Sequence, residues 1–422
     1  MKPTMYALAD ANNFYCSCER LFSPRLKKQP VLVLSNNDGC VIARSNEVKA
    51  LGIPMGAPIH EWQHVVAAHH IQVFSANFAL YGDLSSRVMS CLGQFTHQME
   101  VYSVDEAFLD FTAVSPEAYT TYSLEIKQTV MKWIGIPISL GVGATKTLAK
   151  IANKAAKRGN AGVLTLQTEE DVDTWLATLD VADVWGIGQR HAEFLHSHHI
   201  HTALQLKHAP DRWIKQHLHV TGLRTVLELR GISCLPLEEA PQPKKQIACT
   251  RSFGRVVQSL ADLKEAVALY VTRAAEKLRE QHSLVSLLSV FIQTNPFQVE
   301  KPQYARSCTI HLPAATNDTG ELISSALRAV EKLYLPGFQY HRAGIFLQEL
   351  VPDTYRQLRL FTPPEAMQRP QTVVEVVDAI NRKYGRETIR YAATGQQPGW
   401  KMRQEHRSPR YTTNLLELLR VK

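Results

Sequence analysis

Three acidic side chains end or interrupt apolar stretches that would ordinarily exclude them. Asp105 and Glu106 divide Val101-Tyr102-Ser103-Val104 from Ala107-Phe108-Leu109, and Asp10 closes Met5-Tyr6-Ala7-Leu8-Ala9. β-Branched and aromatic residues around the acids read as strands packed on a core. Two carboxylates ~4 Å apart repel by roughly 4 kcal/mol at an effective dielectric near 20. Hard divalent cations bound by carboxylate oxygens offset such repulsion, and two cations held ~3.5–4 Å apart are the clamp used in phosphoryl and nucleotidyl transfer. A lone Asp-Glu pair is better read as a solvated turn between two strands. Asp10 and the surrounding motifs weigh for the metal reading.

The elements that must position these acids are legible from spacing. Tyr6–Asp10 reads as a strand leading through Ala11–Asn13 into a helical stretch. Val31–Leu34 and Cys40–Arg44 read as strands joined by Asn36-Asn37-Asp38-Gly39, whose Asn and Gly tolerate positive φ. Ser45 is placed to cap a short helix through Leu51. A helix is expected over Leu84–Phe95 with Asp83 at its N-cap, another near Ser123–Trp133, and a strand over Pro137–Gly143. Gly141-Val142-Gly143-Ala144-Thr145-Lys146-Thr147 approaches a phosphate-binding P-loop, but that motif needs Gly immediately before Lys-Thr, and Thr145 stands there. An ATPase is rejected on that ground. The next helix carries Lys146, Lys150, Lys154 and Arg158 at i, i+4 spacing, a stripe that suits polyanion contact or a solvated face.

The chain of 422 residues fits about three domains. A formal charge of +8 and an isoelectric point near 9.0 lean towards a polyanionic partner. Seven cysteines without a CxxC pair suit free thiols in a reducing compartment. With no long apolar leader and no apolar run of the ~20 residues that cross a bilayer, a cytoplasmic protein with no membrane contact is expected.

Asp10-x-Asn12-x-Phe14-Tyr15-x-x-Cys18-Glu19, Tyr102-Ser103-Val104-Asp105-Glu106-Ala107-Phe108 and Gly141-Val142-Gly143-x-x-Lys146-x-Leu148-Ala149-Lys150 resemble the motifs of the Y-family, or translesion, DNA polymerases. Ser35-Asn36-Asn37-Asp38-Gly39-Cys40-Val41-Ile42-Ala43-Arg44 narrows the resemblance to the UmuC branch, the catalytic subunit of bacterial DNA polymerase V, and it runs from about Met5 to the last residues. It implies an α+β multidomain, right-hand architecture. Residues 1–14 and 80–165 would form a ferredoxin-like palm, 15–79 small fingers, 166–240 a helical thumb with a helix-hairpin-helix, 244–350 a split-βαβ little finger, and 351–422 a clamp- and partner-binding tail. It further implies error-prone translesion DNA synthesis in the bacterial SOS response, with two Mg²⁺ ions held by Asp10, Asp105, Glu106 and the Ala11 carbonyl.

The same resemblance makes Tyr15 the steric gate that rejects a 2′-hydroxyl, although a core aromatic also fits that position. It places Phe14, Arg44, Asn46, Lys49 and Lys157 at the incoming dNTP. Gly186 and Gly188, in Val184-Trp185-Gly186-Ile187-Gly188, resemble a hairpin whose amides hold primer-template DNA through phosphate. Lys244, Lys245, Arg251 and Arg255 are placed near template phosphates. Beyond the Pro-rich linker at 235–245, the pattern strand (246–252), helix (260–281), strand (285–293), strand (305–312), helix (320–333), strand (342–350) is the split-βαβ order.

In the tail, Gln357-Leu358-Arg359-Leu360-Phe361 is similar to the peptide that docks replication enzymes on the bacterial sliding clamp (its β subunit). Gln357 would be its polar anchor, with Leu358, Leu360 and Phe361 as its apolar side chains. Val373–Lys383 reads as a helix. The last segment resembles the region that engages the processed UmuD dimer (UmuD′), and RecA is the further implied partner. His191, His196, His198, His199 and His201 match no closed zinc pattern and read as surface residues. Two rivals remain: a nucleotidyl cyclase on a similar palm, and a DNA-binding subunit without catalysis.

Overall fold

In the computed structural model the first acid closes a strand whose six residues are all buried, β1 (Tyr6–Ala11). The structure describes residues 4–238, 240, 242–355, 364–396 and 399–418. They divide into two units, one of 1–35, 39–241 and 406–422 and another of 36–38 and 242–405.

In the first unit β1 is followed by α1 (Phe14–Leu21), β2 (Val31–Leu34), β3 (Val41–Arg44), α2 (Asn46–Ala50), α3 (Ile59–Ala68) and β4 (Gln72–Ser75). Then come α4 (Phe78–Leu92), β5 (Met99–Val101), β6 (Glu106–Asp110), α5 (Tyr119–Ile134), β7 (Ile138–Gly143), α6 (Lys146–Ala156) and β8 (Val163–Thr165). The helices α7 (Glu169–Thr178), α8 (Gln189–Ser197), α9 (Ala203–His208) and α10 (Asp211–Leu229) complete it. One sheet has the order β5-β6-β1-β7-β8, and a smaller one has the order β3-β2-β4. The large sheet is covered on one face by α4 and α5 through Leu80, Leu84, Val88, Ile126 and Val130.

The helix α6 packs on β7 because Gly141 permits it. A Cβ at that position would lie 2.0 Å from the backbone nitrogen of Asn153, so any other residue would push the helix off the sheet. The start of α6 is fixed by a fully buried carboxylate. Glu228, near the end of α10, accepts from the Thr147 amide at 3.0 Å and the Cys234 amide at 2.7 Å. The residues that approach a P-loop pattern therefore form a tight strand–helix junction.

The helix expected from Leu84 starts earlier. Asn77 caps α4 by accepting from the Leu80 amide at 3.4 Å, and Asp83 sits inside the helix, paired with Arg87 at 2.8 Å. Gly82 obscured the apolar spacing of Leu80, Tyr81 and Leu84, all three of which are buried.

The second unit follows the expected order: β9 (Ile247–Val257), α11 (Leu260–Glu280), β10 (Ser283–Thr294), β11 (Ala305–Thr316), α12 (Thr319–Leu333) and β12 (Tyr340–Pro352). Its sheet runs β11-β10-β12-β9, with every neighbouring pair antiparallel. Hence β9 and β10 point the same way with β12 between them, which is the split βαβ arrangement. Both helices pack against Leu288, Val290, Ile292, Ile345 and Leu347, leaving the opposite face of the sheet free of helix.

The tail is more than a tether. α13 (Pro364–Tyr384) is joined to α11 by Arg279, which donates to both carboxylate oxygens of Asp378 at 2.6 and 2.9 Å. Trp400 is 4% exposed, its ring edge-on to Phe253 and Tyr270. Gly254 allows this: its amide donates to the Trp400 carbonyl at 3.0 Å, and a Cβ there would meet the Lys401 carbonyl at 2.1 Å. Trp400→Ala removes a core ring, which costs about 3–5 kcal/mol. Thermal melting is expected to show a clearly lowered transition, and an unchanged one would show that the ring contributes nothing to the core.

Candidate active site

β1 and β6 are antiparallel neighbours, and their register sets Asp10 directly opposite Glu106. The pairing extends one residue further, where the Ala11 amide donates to the Asp105 carbonyl at 2.8 Å. Asp105 lies in the turn between β5 and β6. The apolar residues before it, Val101, Tyr102 and Val104, are exposed, so only the β6 side of the acidic motif packs into the core as expected. Ser103 fixes the turn: its hydroxyl donates to Asp105 Oδ1 at 2.6 Å and accepts from the Asp105 and Glu106 amides at 3.2 and 3.0 Å. Sequence reading missed Ser103; its signal was a hydroxyl two residues before the acid.

Two lysines of α6 reach these acids. Lys157, the residue that ends the helix, donates to Asp10 Oδ2 at 2.5 Å. Lys150, two turns earlier on the same face, donates to both Glu106 oxygens at 3.0 Å. Its ammonium also lies over the rings of Tyr102 (4.4 Å), Trp185 (5.3 Å) and Phe108 (5.7 Å), contacts that favour a partly desolvated cation. Burial pushes the Asp10 carboxyl up to about 6; Lys157 opposes that rise, and the charges of Glu106 and Asp105 add to it.

On the opposite side, Arg44 ends β3 and Lys49 lies on α2. Asn13, in the left-handed region at φ 48°, accepts from the Lys49 ammonium at 2.6 Å and donates to Asn46 Oδ1 at 2.9 Å. Arg44 donates to the Ile53 carbonyl, while its Nε is buried with no hydrogen-bond partner. Burial, then the neighbouring charges of Arg44 and Lys157, hold the Lys49 ammonium below its ordinary pKa. Crowded cations beside buried carboxylates form a field that an anion bound together with a divalent cation would neutralise.

Among the described residues no group of three His, Cys, Asp or Glu side chains is closed into a ready-made metal cage; the lysines hold the carboxylates instead. The donor set of Asp10, Asp105, Glu106 and the Ala11 carbonyl consists of hard oxygens, the ligands that Mg²⁺ takes. The Asp10 carboxyl is raised chiefly by burial, and the neighbouring Glu106 and Asp105 charges add to the rise. The residues therefore fit a divalent cation.

Residues 9–154 match the model of the impB/mucB/samB family, 244–360 match that family's C-terminal domain, and 371–421 match a domain of unknown function, DUF4113. Protein UmuC of Salmonella typhimurium is 41% identical over 99% of this chain and 100% of its own. Protein SamB of Salmonella typhimurium is 39% identical over 98% and 99%. The chain belongs to the UmuC-type family of Y-family DNA polymerases. DNA polymerase IV 1 of Bacillus subtilis is a more distant relative, 26% identical over 91% of this chain and 92% of its own. Among solved structures, a Y-family DNA polymerase chimera of Dbh and Dpo4 shares the fold with a TM-score of 0.65 at 19% identity, covering 82% of this chain and 99% of its own.

With the family fixed, the other sequence-derived residues can be placed. Tyr15 lies on α1 with its ring stacked on Tyr81 at 4.5 Å and edge-on to Phe78 at 6.1 Å. Phe14 is buried in the core, where its ring supports α1. Gly186 has φ 93°, which only glycine adopts without strain. Gly188 caps α8 at φ −83° with open space where a Cβ would go, so its conformation does not require glycine.

The cationic stripe on α6 is mostly internal. Lys146 is 3% exposed and pairs with Glu100, Lys150 serves Glu106, and Lys154 pairs with Asp183 at 2.6 Å. The histidines lie at the surface: His196 contacts Asp180 at 3.1 Å, and His198 joins a ring cluster with Phe194, Trp213 and His217.

In the second unit Lys244, Lys245, Arg251 and Arg255 are exposed, and Arg255 contacts Asp262 at 3.4 Å. The helix-free face adds residues that the reading missed. Phe291 and Phe346 stack at 5.7 Å, Arg342 lies over Phe291 at 5.8 Å, and Ser289 bonds both Thr309 and Gln348. Period-two alternation along β10 and β12 was the available signal. The residues Gln357, Leu358, Leu360 and Phe361 lie outside the described residues.

Replacing Lys157 with Met removes the cation that opposes the rise of the Asp10 carboxyl, so in metal-free protein Asp10 should titrate above about 6. Carboxyl-carbon NMR would read this, and an unchanged or lower midpoint would contradict the pairing.

Proposed function

We propose that this protein carries out template-directed translesion DNA synthesis by nucleotidyl transfer, with two Mg²⁺ ions at Asp10, Asp105, Glu106 and the Ala11 carbonyl. The observation that carries the reading is the convergence of three carboxylates with Arg44, Lys49 and Lys157. Bound there, the ions would activate the primer 3′-hydroxyl and neutralise the triphosphate.

The protein's own groups do the rest. Arg44, whose Nε is buried without a partner, offers charge-assisted hydrogen bonds to phosphate oxygens as the dNTP enters. Lys49 and Lys157 supply point charges for the same anion. Asn13 and Asn46 hold Lys49 against the end of α1, so the cation is placed before the nucleotide arrives. Tyr15 closes the sugar side of the site as the steric gate. The 3′-oxygen then attacks the α-phosphorus in line and pyrophosphate leaves.

Residues 1–14 and 80–165 are assigned as palm, 15–79 as fingers, 166–240 as thumb, 244–350 as little finger and 351–422 as tail. Gly186 and the α8 amide end would hold DNA phosphate, as would Lys244, Lys245, Arg251 and Arg255, joined by Arg342 on the helix-free sheet face. The family reading adds a cytoplasmic place in the SOS response. It also adds a processed UmuD dimer, RecA and the sliding clamp as partners, the clamp through Gln357–Phe361. No described helix is long and apolar enough to cross a membrane.

Asp105→Asn is expected to reduce primer extension by at least about a hundredfold while primer-template affinity is retained. A variant that extends normally would leave a DNA-binding scaffold as the better reading. Tyr15→Ala should admit ribonucleotides in the same assay, and unchanged sugar selection would remove the gate assignment. Deleting residues 357–361 should abolish stimulation by the clamp and spare unassisted synthesis; a persisting clamp response would refute the docking assignment.

A further inference from the structure

The ring that supports the gate is held by a segment far away in the chain. Tyr15 stacks on Tyr81 at an interplanar angle of 16°. Tyr81, on α4, is buried, and its hydroxyl donates to Glu19 Oε1 at 2.6 Å. Glu19 is buried one turn beyond Tyr15 on α1. The same Oε1 accepts from the Ser408 hydroxyl at 3.0 Å. Ser408 lies in the stretch that matches the domain of unknown function and within the first unit.

The hydrogen bonds have a defined direction. A serine hydroxyl has one proton to give. Asn77 Nδ2 donates to the Ser408 hydroxyl oxygen and carbonyl at 3.0 Å each, which leaves that proton for Glu19. The Asn77 carbonyl oxygen meanwhile caps α4, the helix that carries Tyr81. The segment is anchored on both sides. His406 and Ser75 exchange hydrogen bonds at 2.9 and 3.1 Å, and the Tyr411 ring stacks on Phe22 at 4.5 Å. Burial raises the Glu19 carboxyl, and the two hydroxyls of Tyr81 and Ser408 are what oppose that rise.

We infer that Ser408 is a positioning residue for sugar selection: through Glu19 it fixes the Tyr81 ring on which the Tyr15 gate rests. The inference depends on Tyr15 being the gate, as proposed above. Residues 406–411 are thereby a built part of the nucleotide pocket's support. Losing either hydroxyl leaves Glu19 Oε1 with one donor in place of two, and the Tyr81 ring less firmly held under the gate.

The test compares kcat/KM for a dNTP and the matching rNTP in full-length protein on one primer-template. The variants are Ser408→Ala, Ser408→Thr, Tyr81→Phe and the double variant Ser408→Ala with Tyr81→Phe, beside Tyr15→Ala. Ser408→Ala and Tyr81→Phe should each lower sugar discrimination by roughly three- to tenfold, the size expected for one hydrogen bond to a buried carboxylate. The change should come from faster ribonucleotide use. The double variant should lose more selection than either single one, since it leaves the buried Glu19 Oε1 with neither hydroxyl donor, and Ser408→Thr should restore selection.

If Ser408→Ala and Tyr81→Phe lower melting temperature and slow both nucleotides in proportion, the contact is structural glue and the inference is overturned. If Tyr15→Ala itself leaves discrimination unchanged, the gate reading fails and takes this inference with it. If Tyr15→Ala relaxes selection and Ser408→Ala does not, the inference alone fails.

Discussion

Antiparallel pairing of β1 with β6 places two carboxylates across from one another, and the rest of the site is arranged around that register. Like charges directly opposite on a sheet destabilise it. Here Asp10 also sits on a strand buried along its whole length, while Glu106 is half-buried at the start of β6. The compensation comes from α6, whose two lysines stand two turns apart and take one acid each. That spacing works only if the helix lies hard against β7, which Gly141 permits, and only if its first turn is anchored, which the buried Glu228 carboxylate does. A glycine, a helix cap and a pair of lysines are thus parts of one electrostatic solution.

The same solution explains why most of the α6 cations are not free. Lys146, Lys150 and Lys154 all have acidic partners inside the unit, so the helix works first as a counter-charge to the sheet. Cations on α2 and β3 approach from the other side, and burial, then their mutual repulsion, depresses Lys49.

Much of this was legible in the chain. The split βαβ unit could be read from helical and strand periodicity, because each of its elements is long and amphipathic. The Asn-Asn-Asp-Gly turn and the short helix after Ser45 were legible, although the Ser45 hydroxyl accepts from the Val31 amide and does not cap the helix. α4 was misplaced because Gly82 interrupts a pattern that in fact begins at Asn77. The docking of the tail is hard to read because its charged, Pro- and Gly-containing composition hides Trp400, a large apolar ring that enters a core. Its docking needed Gly254, whose importance lies in what approaches it and not in its own neighbours.

The sequence by itself determined the chemistry on offer: three carboxylates at strand ends, cations on short helices, an aromatic after the first strand, and the order of strands and helices. These follow from side-chain identity and from periodicities of two and 3.6, which are local properties. Only the tertiary structure decided which lysine meets which acid, that the α6 stripe turns inward, and that Ser408 reaches Glu19 beneath the Tyr15–Tyr81 stack. Those pairings join segments far apart in the chain, and they are set by how whole elements pack, to which no short stretch of residues is sensitive.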